Sequence, residues 1–192
     1  MGKPFLIVIS GPNGSGKTTF AKRYLKKYFP NSDFINADLI SQGLSPLNPS
    51  KASIEAGKIM LKKINFLINK KADFSFETTI SGKFYGKLIQ KAKKKGYLIF
   101  LVYLYLPNYK ISINRIKERV KHGGHSVEDA DVKRRFFRGL YNLFNFYLDI
   151  CDYVFILDNS VLNPKLISYK HEKEVKILDE NKLSNMRKMA KI

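Results

Sequence analysis

Phe5-Leu6-Ile7-Val8-Ile9-Ser10-Gly11-Pro12-Asn13-Gly14-Ser15-Gly16-Lys17-Thr18 runs from an apolar strand, through a glycine-rich loop, into a helical pattern. Its second half fits G-x-x-x-x-G-K-[ST], in the strand-to-helix setting that this pattern needs. Glycines let consecutive backbone N–H groups curl around an anion without Cβ clashes. The helix that follows adds the partial positive charge of its N-terminus. Gly11, Pro12, Asn13, Gly14, Ser15, Gly16, Lys17, Thr18 and Thr19 are therefore expected to cradle the phosphates of ATP. Lys17 would reach the β- and γ-phosphates, and the Thr18 hydroxyl would sit on Mg²⁺.

Outward from this loop, strands and helices alternate. Apolar runs at 5–10, 97–106 and 153–157 read as strands, and 33–37 and 73–79 are further strand candidates. Helical patterns fill 17–28, 50–70, 81–95, 109–121 and 132–150, with Gly96 and Gly123-Gly124 as stop signals. This order predicts an α/β fold: a P-loop NTPase three-layer αβα sandwich, nucleotide-kinase-like, with a five-stranded parallel sheet covered on both faces. Residues 1–164 form the expected kinase domain, with a helical lid at about 109–138. Residues 165–192 read as a small C-terminal appendage, a possible hairpin followed by a basic helix.

Composition narrows the function class. The chain has 192 residues, 44% of them hydrophobic, so it holds enough apolar side chains for a core. Cys151 is the single cysteine, which excludes an intrachain disulfide framework and suits a reducing compartment. The longest apolar stretch, 97–106, is half of the roughly 20 residues that a membrane-spanning helix needs. A cytoplasmic protein with no membrane partner is expected. Lys and Arg total 35 against 16 acids, a net charge of +19 that favours anionic partners.

In open parallel sheets, ligands bind beyond the carboxyl ends of the strands. Asp38 closes the second predicted strand and Glu77 the third. Phosphoryl transfer to a hydroxyl needs a group to accept the proton and aim the oxygen. Asp38 is the candidate for that role. Glu77 is the candidate to hold Mg²⁺ or, with Thr78, to orient the acceptor. The competing reading is that each carboxylate only caps the helix that follows.

Between Tyr109 and Arg138 stand nine Lys or Arg against four acids. Arg115 and Arg119 share a helix face. With Arg134 and Arg135 they outline a lid that brings cations to the transferring phosphoryl group. His125 is a further phosphate-contact candidate. Asn159, after the last predicted strand, is the candidate for adenine contact. The N-K-x-D motif of GTPases and the L-S-G-G-Q motif of ABC ATPases are both absent from the chain.

GPNGSGKTT at 11–19, NADL at 36–39, FETTISG at 76–82, GGHSV at 123–127, Arg134-Arg135-Phe136 and Asp158-Asn159-Ser160 follow one another in this order. The set resembles the zeta-toxin-like family of P-loop kinases over roughly residues 5–160. The resemblance implies an ATP- and Mg²⁺-dependent kinase acting on UDP-N-acetylglucosamine or a related UDP-sugar, restrained by an antitoxin. It implies Lys17 as the phosphate-loop lysine, Asp38 as the catalytic aspartate and Glu77 as the substrate-side glutamate. Arg119 and either Arg134 or Arg135 would be the lid arginines. Two other readings stay open: a polynucleotide or nucleoside kinase, and a nucleic-acid-binding ATP switch. Lys83, Lys87, Lys91, Lys93, Lys94 and Lys95, six lysines without an intervening acid, suit weak non-specific contact with a phosphate backbone.

Overall fold

The computed structural model describes residues 2–121, 123–124, 126–172 and 174–191. Strand β1 (Phe5–Ser10) leads into the glycine loop and helix α1 (Lys17–Phe20), which continues through a π-helical turn at Ala21–Leu25 into α2 (Lys26–Tyr28). Next come β2 (Asp33–Ile35), α3 (Ala37–Leu44), a 3-10 turn at Pro49–Ala52 and α4 (Ser53–Lys70). They are followed by β3 (Phe74–Thr78), α5 (Phe84–Lys94), β4 (Leu98–Tyr105) and the two expected lid helices, α6 (Tyr109–Lys121) and α7 (Asp129–Asn142). Helix α7 runs on through a π-helical turn at Leu143–Tyr147 into α8 (Leu148–Ile150). The rest is β5 (Tyr153–Asp158), β6 (Lys165–His171), β7 (Glu174–Ile177) and α9 (Glu180–Ala190).

The sheet order is β2-β3-β1-β4-β5-β6-β7. The five expected strands pair in parallel. The expectation of five strands is corrected to seven, because β6 and β7 add an antiparallel hairpin to the β5 edge. Connection length explains the change of direction. Only residues 159–164 separate β5 from β6. A parallel crossover needs about a dozen residues, so a short link must return antiparallel. Pairing there also covers an edge that would otherwise expose unpaired backbone groups.

Alternation along β1 divides the core. Leu6 and Val8 face one side, packed with Met60 and Ile64 of α4, Ile89 of α5, Phe136 and Leu140 of α7, and Leu183 and Met186 of α9. Ile7 and Ile9 face the other side, against Ala21 and Leu25. The second face is covered unequally, which corrects the expected full coverage. Phe100, Val102, Tyr153, Phe155 and Leu157 are only half-buried. There the rings of Phe100 and Tyr153 stack at 4.5 Å, and those of Tyr153 and His171 at 4.7 Å. Those separations match the spacing of neighbouring strands.

The segment expected to be an appendage joins this same body. Asp179 caps α9 by accepting from the Lys182 N–H, and Leu183, Met186 and Ala190 are buried in the larger core. Met186→Ala should therefore cost about 2–5 kcal/mol, the range for deleting a buried long side chain. Denaturant unfolding will show this as a lower midpoint; an unchanged midpoint would mark the tail as a separate appendage.

Candidate active site

Strand register assembles the site. Val8 of β1 is level with Phe76 of β3, and Phe76 is level with Ile35 of β2. The next residues, Ile9, Glu77 and Asn36, therefore emerge together at the carboxyl edge. Glu77 Oε2 accepts from the Thr18 hydroxyl at 2.7 Å and from Asn36 Nδ2 at 2.7 Å. Lys17 Nζ lies 3.9 Å from Glu77 Oε1 and donates to the Pro12 carbonyl at 2.9 Å. Burial pushes the Lys17 amine below its ordinary value, while Glu77 and Asp38 pull it back up.

The loop is shaped to hold an anion. Gly16 has φ +82°, and a Cβ there would press on Asn159 Nδ2 at 2.9 Å. Gly11 has φ +140°, and a Cβ would meet the Leu104 carbonyl at 2.5 Å. No side chain caps the first turn of α1, so its N–H groups face the loop. Asn13 Oδ1 and Ser15 Oγ are buried and have no hydrogen-bond partner among the described residues. Orphaned polar atoms and uncapped N–H groups in a phosphate-loop fold suit a polyphosphate.

Asp38 stands in the first turn of α3, not at the end of β2, which stops at Ile35. Asn36 takes the capping role: its Oδ1 accepts from Asp38 N at 2.7 Å and Leu39 N at 3.1 Å. The Asp38 carboxylate is thus not needed as the helix cap. It lines an open cleft of about 540 Å³ together with Lys17, Thr18, Glu77, Arg119 and Arg135.

A scan against family models matches residues 1–159 to the family described as Zeta toxin. The chain belongs to the Zeta toxin family. This is a family of P-loop kinases. An uncharacterized protein of Haemophilus influenzae is 34% identical over 134 residues, covering 68% of this chain and 91% of that protein. Among solved structures, the AvrRxo1-ORF1:AvrRxo1-ORF2 complex with sulphate ions matches at TM-score 0.77 and 14% identity over 96% of this chain. The chain spans 63% of the length of that relative. The same complex with ATP matches at TM-score 0.74 and 16% identity, over 98% of this chain and 64% of that one. The PezAT chromosomal toxin-antitoxin system of Streptococcus pneumoniae matches at TM-score 0.67 and 16% identity, over 100% of this chain and 87% of that one.

On this Zeta toxin scaffold the arginines expected on a lid part company. Arg119 and Arg135 line the cleft. Arg134 does not; it is exposed and its Nη2 donates to Asp131 at 2.8 Å. Arg135 also reaches Asp131, at 3.3 Å. Gly124 packs against Arg119: a Cβ at Gly124 would meet Arg119 Cγ at 2.5 Å. His125 lies outside the described residues. The Thr78 hydroxyl accepts from Ile80 N at 3.1 Å, so it braces its own turn. Asn159 Nδ2 donates to Ser15 O at 2.6 Å, locking it to the phosphate loop. Of the six lysines near α5, Lys91 donates to Asn65 and Lys93 pairs with Asp152 at 2.8 Å.

That turn after β3 is strained. Ile80 is buried and β-branched, yet its φ is +46°. Such a conformation costs on the order of 1–3 kcal/mol and persists only when neighbours enforce it. Here α7 enforces it. Asn142 Nδ2 donates to Ile80 O at 2.8 Å, and Gly139 comes so close to Thr79 O that a Cβ would sit 2.9 Å away. The helix that carries Arg135 therefore also holds the loop that presents Thr79 to the cleft.

Two residues take parts in the site that the sequence expectations did not give them. Asn36, an asparagine just before a helical pattern, carries an N-cap signal that would have found it. Arg115 is legible only as a helix-face neighbour of Arg119. Its guanidinium donates to the Asn159 and Ser160 carbonyls at 3.0 Å each, and to Gly14 O at 3.4 Å. Asn36→Ala should cost about 0.5–2 kcal/mol through the lost cap. Asn36→Ser keeps a capping oxygen and should recover most of that stability. Thermal unfolding of the pair checks this; equal melting temperatures for Ala and Ser would show that the cap contributes nothing.

Proposed function

We propose that this kinase moves the γ-phosphoryl group of ATP to a hydroxyl of a nucleotide sugar of the UDP-N-acetylglucosamine kind, or of a similar small anion. The observation that carries this reading is Asp38. It is a carboxylate relieved of helix capping by Asn36, and it lines the same cleft as Lys17 and Thr18. In the proposed step the acceptor oxygen bonds to the γ-phosphorus while the bond to the bridging oxygen of ADP breaks. The acceptor proton goes to Asp38, and ADP leaves. Lys17 balances charge on the β- and γ-phosphates. Arg119 and Arg135 meet the charge that develops during transfer.

The donor set fits Mg²⁺. The Thr18 hydroxyl and a Glu77 oxygen touch at 2.7 Å, and both are hard oxygen ligands. Among the described residues no three His, Cys, Asp or Glu cluster as a metal cage. Mg²⁺ is commonly held by one or two protein oxygens together with phosphates and water. Bound there, Mg²⁺ would neutralise phosphate charge and orient the phosphates. Thr18 and Glu77 are the residues proposed to hold it.

The hollow bounded by Phe20, Arg23, Tyr24, Asn159 and Leu162, about 240 Å³ beside the phosphate loop, supports a nucleobase there. A protein antitoxin is a proposed partner, supported by the toxin–antitoxin system among the structural relatives. Among the described residues no helix is long and apolar enough to cross a membrane.

A labelled-ATP transfer screen over UDP-sugars, nucleosides and oligonucleotides tests the acceptor. UDP-sugars should be labelled; preferential labelling of oligonucleotide ends would instead identify a polynucleotide kinase. Asp38→Asn should keep ATP affinity and melting temperature but lower transfer by roughly 10²–10⁴, the usual worth of a general base. Full transfer by that variant would remove Asp38 from the mechanism. The two neighbouring arginines should separate as well. Arg135→Ala should lower kcat by about 10²–10³, whereas Arg134→Ala should change it little. Equal effects would show that the cleft-lining position of Arg135 carries no catalytic weight.

A further inference from the structure

The family match ends at residue 159, yet the C-terminal helix α9 pairs with Asp158, one residue before that end. Asp158, the last residue of β5, is a buried carboxylate at 4% exposure. One of its oxygens accepts from Ser160 N at 2.8 Å and folds residues 158–160 into a tight turn. Its other oxygen pairs with Lys182 Nζ of α9 at 3.0 Å. Lys182 is itself aimed by Asp179, which pairs with its ammonium at 3.1 Å. A carboxylate this buried needs a charged partner, since burying an unpaired charge is costly.

The turn held this way is a structural junction. The Asn159 side chain bonds Ser15 of the phosphate loop, and the Asn159 and Ser160 carbonyls take both arms of Arg115 from the lid helix. Asn159, Val161, Leu162 and Pro164 then form one wall of the hollow beside the loop; Phe20, Arg23 and Tyr24 form another. Besides Asn159 and Arg115, the phosphate loop has supports of its own at the phosphate end, in β1, α1 and Glu77. Loosening the 158–162 turn would therefore reach the base end of a nucleotide before its phosphate end.

We propose that Lys182 is a positioning residue for the nucleobase end of the donor site, acting through Asp158 on the turn at residues 158–162. The proposal rests on the reading of the loop and its adjoining hollow as the ATP site. It makes α9 part of the donor site, with the ammonium of Lys182 as the link.

The experiment compares two probes, Mg·ATP and Mg·inorganic triphosphate, by calorimetric titration of the full chain. Lys182→Met should weaken ATP by about tenfold or more, in line with the loss of a charge-assisted contact, and leave triphosphate unchanged. Lys182→Arg should restore ATP affinity, because it keeps a cation over Asp158. If Lys182→Met folds poorly, the double variant Lys182→Met with Asp158→Asn removes the unpaired buried charge. It should recover the melting temperature while ATP alone stays weakened. Equal weakening of both probes, or wild-type ATP affinity in either Met variant, overturns the proposal. A wild-type chain that binds neither probe overturns the donor-site reading, and the role of Lys182 with it.

Discussion

The Glu77 carboxylate is the interaction on which the site depends. Its side chain is 12% exposed, and a charge so withdrawn from water requires polar partners. Two segments supply them: α1, with Lys17 and Thr18 where it leaves the phosphate loop, and the exit of β2, with Asn36. These contacts exist because β2, β3 and β1 run parallel and in register, so their carboxyl ends lie level. Moving Glu77 would disturb the loop, the proposed metal donors and the cap of α3 together. Asn36 makes the arrangement economical: one amide caps a helix with its oxygen and binds the carboxylate with its nitrogen.

Rigid contacts around this hub join parts of the cleft that are far apart in the chain. Helix α7 presents Arg135 to the cleft and, on the same helix, uses Gly139 and Asn142 to hold the strained turn at Ile80. The position of α7 is therefore felt by the loop carrying Thr79. Arg115 works in the other direction, fastening α6 to the phosphate loop and to the turn after β5. Much of the polar bonding here serves position, leaving Asp38 and the cleft-facing arginines on surfaces a substrate can reach.

Much of this was legible along the chain because it is local. The phosphate loop needs consecutive residues of particular conformational freedom and charge, and these are adjacent in sequence. Apolar runs marked β1, β4 and β5, as expected of strands buried between layers, while β2 and β3, interrupted by Asp33, Ser75 and Glu77, were legible from their place between helical patterns. The hairpin and last helix were legible as elements, but their place on the β5 edge was not. That placement depends on a short link and an unpaired edge, and neither carries a local pattern. Nor does composition reveal that the second sheet face is only partly covered, because half-buried aromatics such as Phe100 and Tyr153 read like core residues.

The site divides along the same line. By itself the sequence determined an α/β phosphate-loop fold, the nucleotide loop with Lys17 and Thr18, and a short list of carboxylates and arginines near it. Tertiary structure alone decided which of them meet. It put Arg135 in the cleft and left Arg134 on Asp131, set Asn36 between Asp38 and Glu77, and bound Lys182 to Asp158. The physical reason is distance along the chain. Glu77 stands 59 residues from Thr18 and 41 from Asn36, and only strand register brings them within hydrogen-bonding reach.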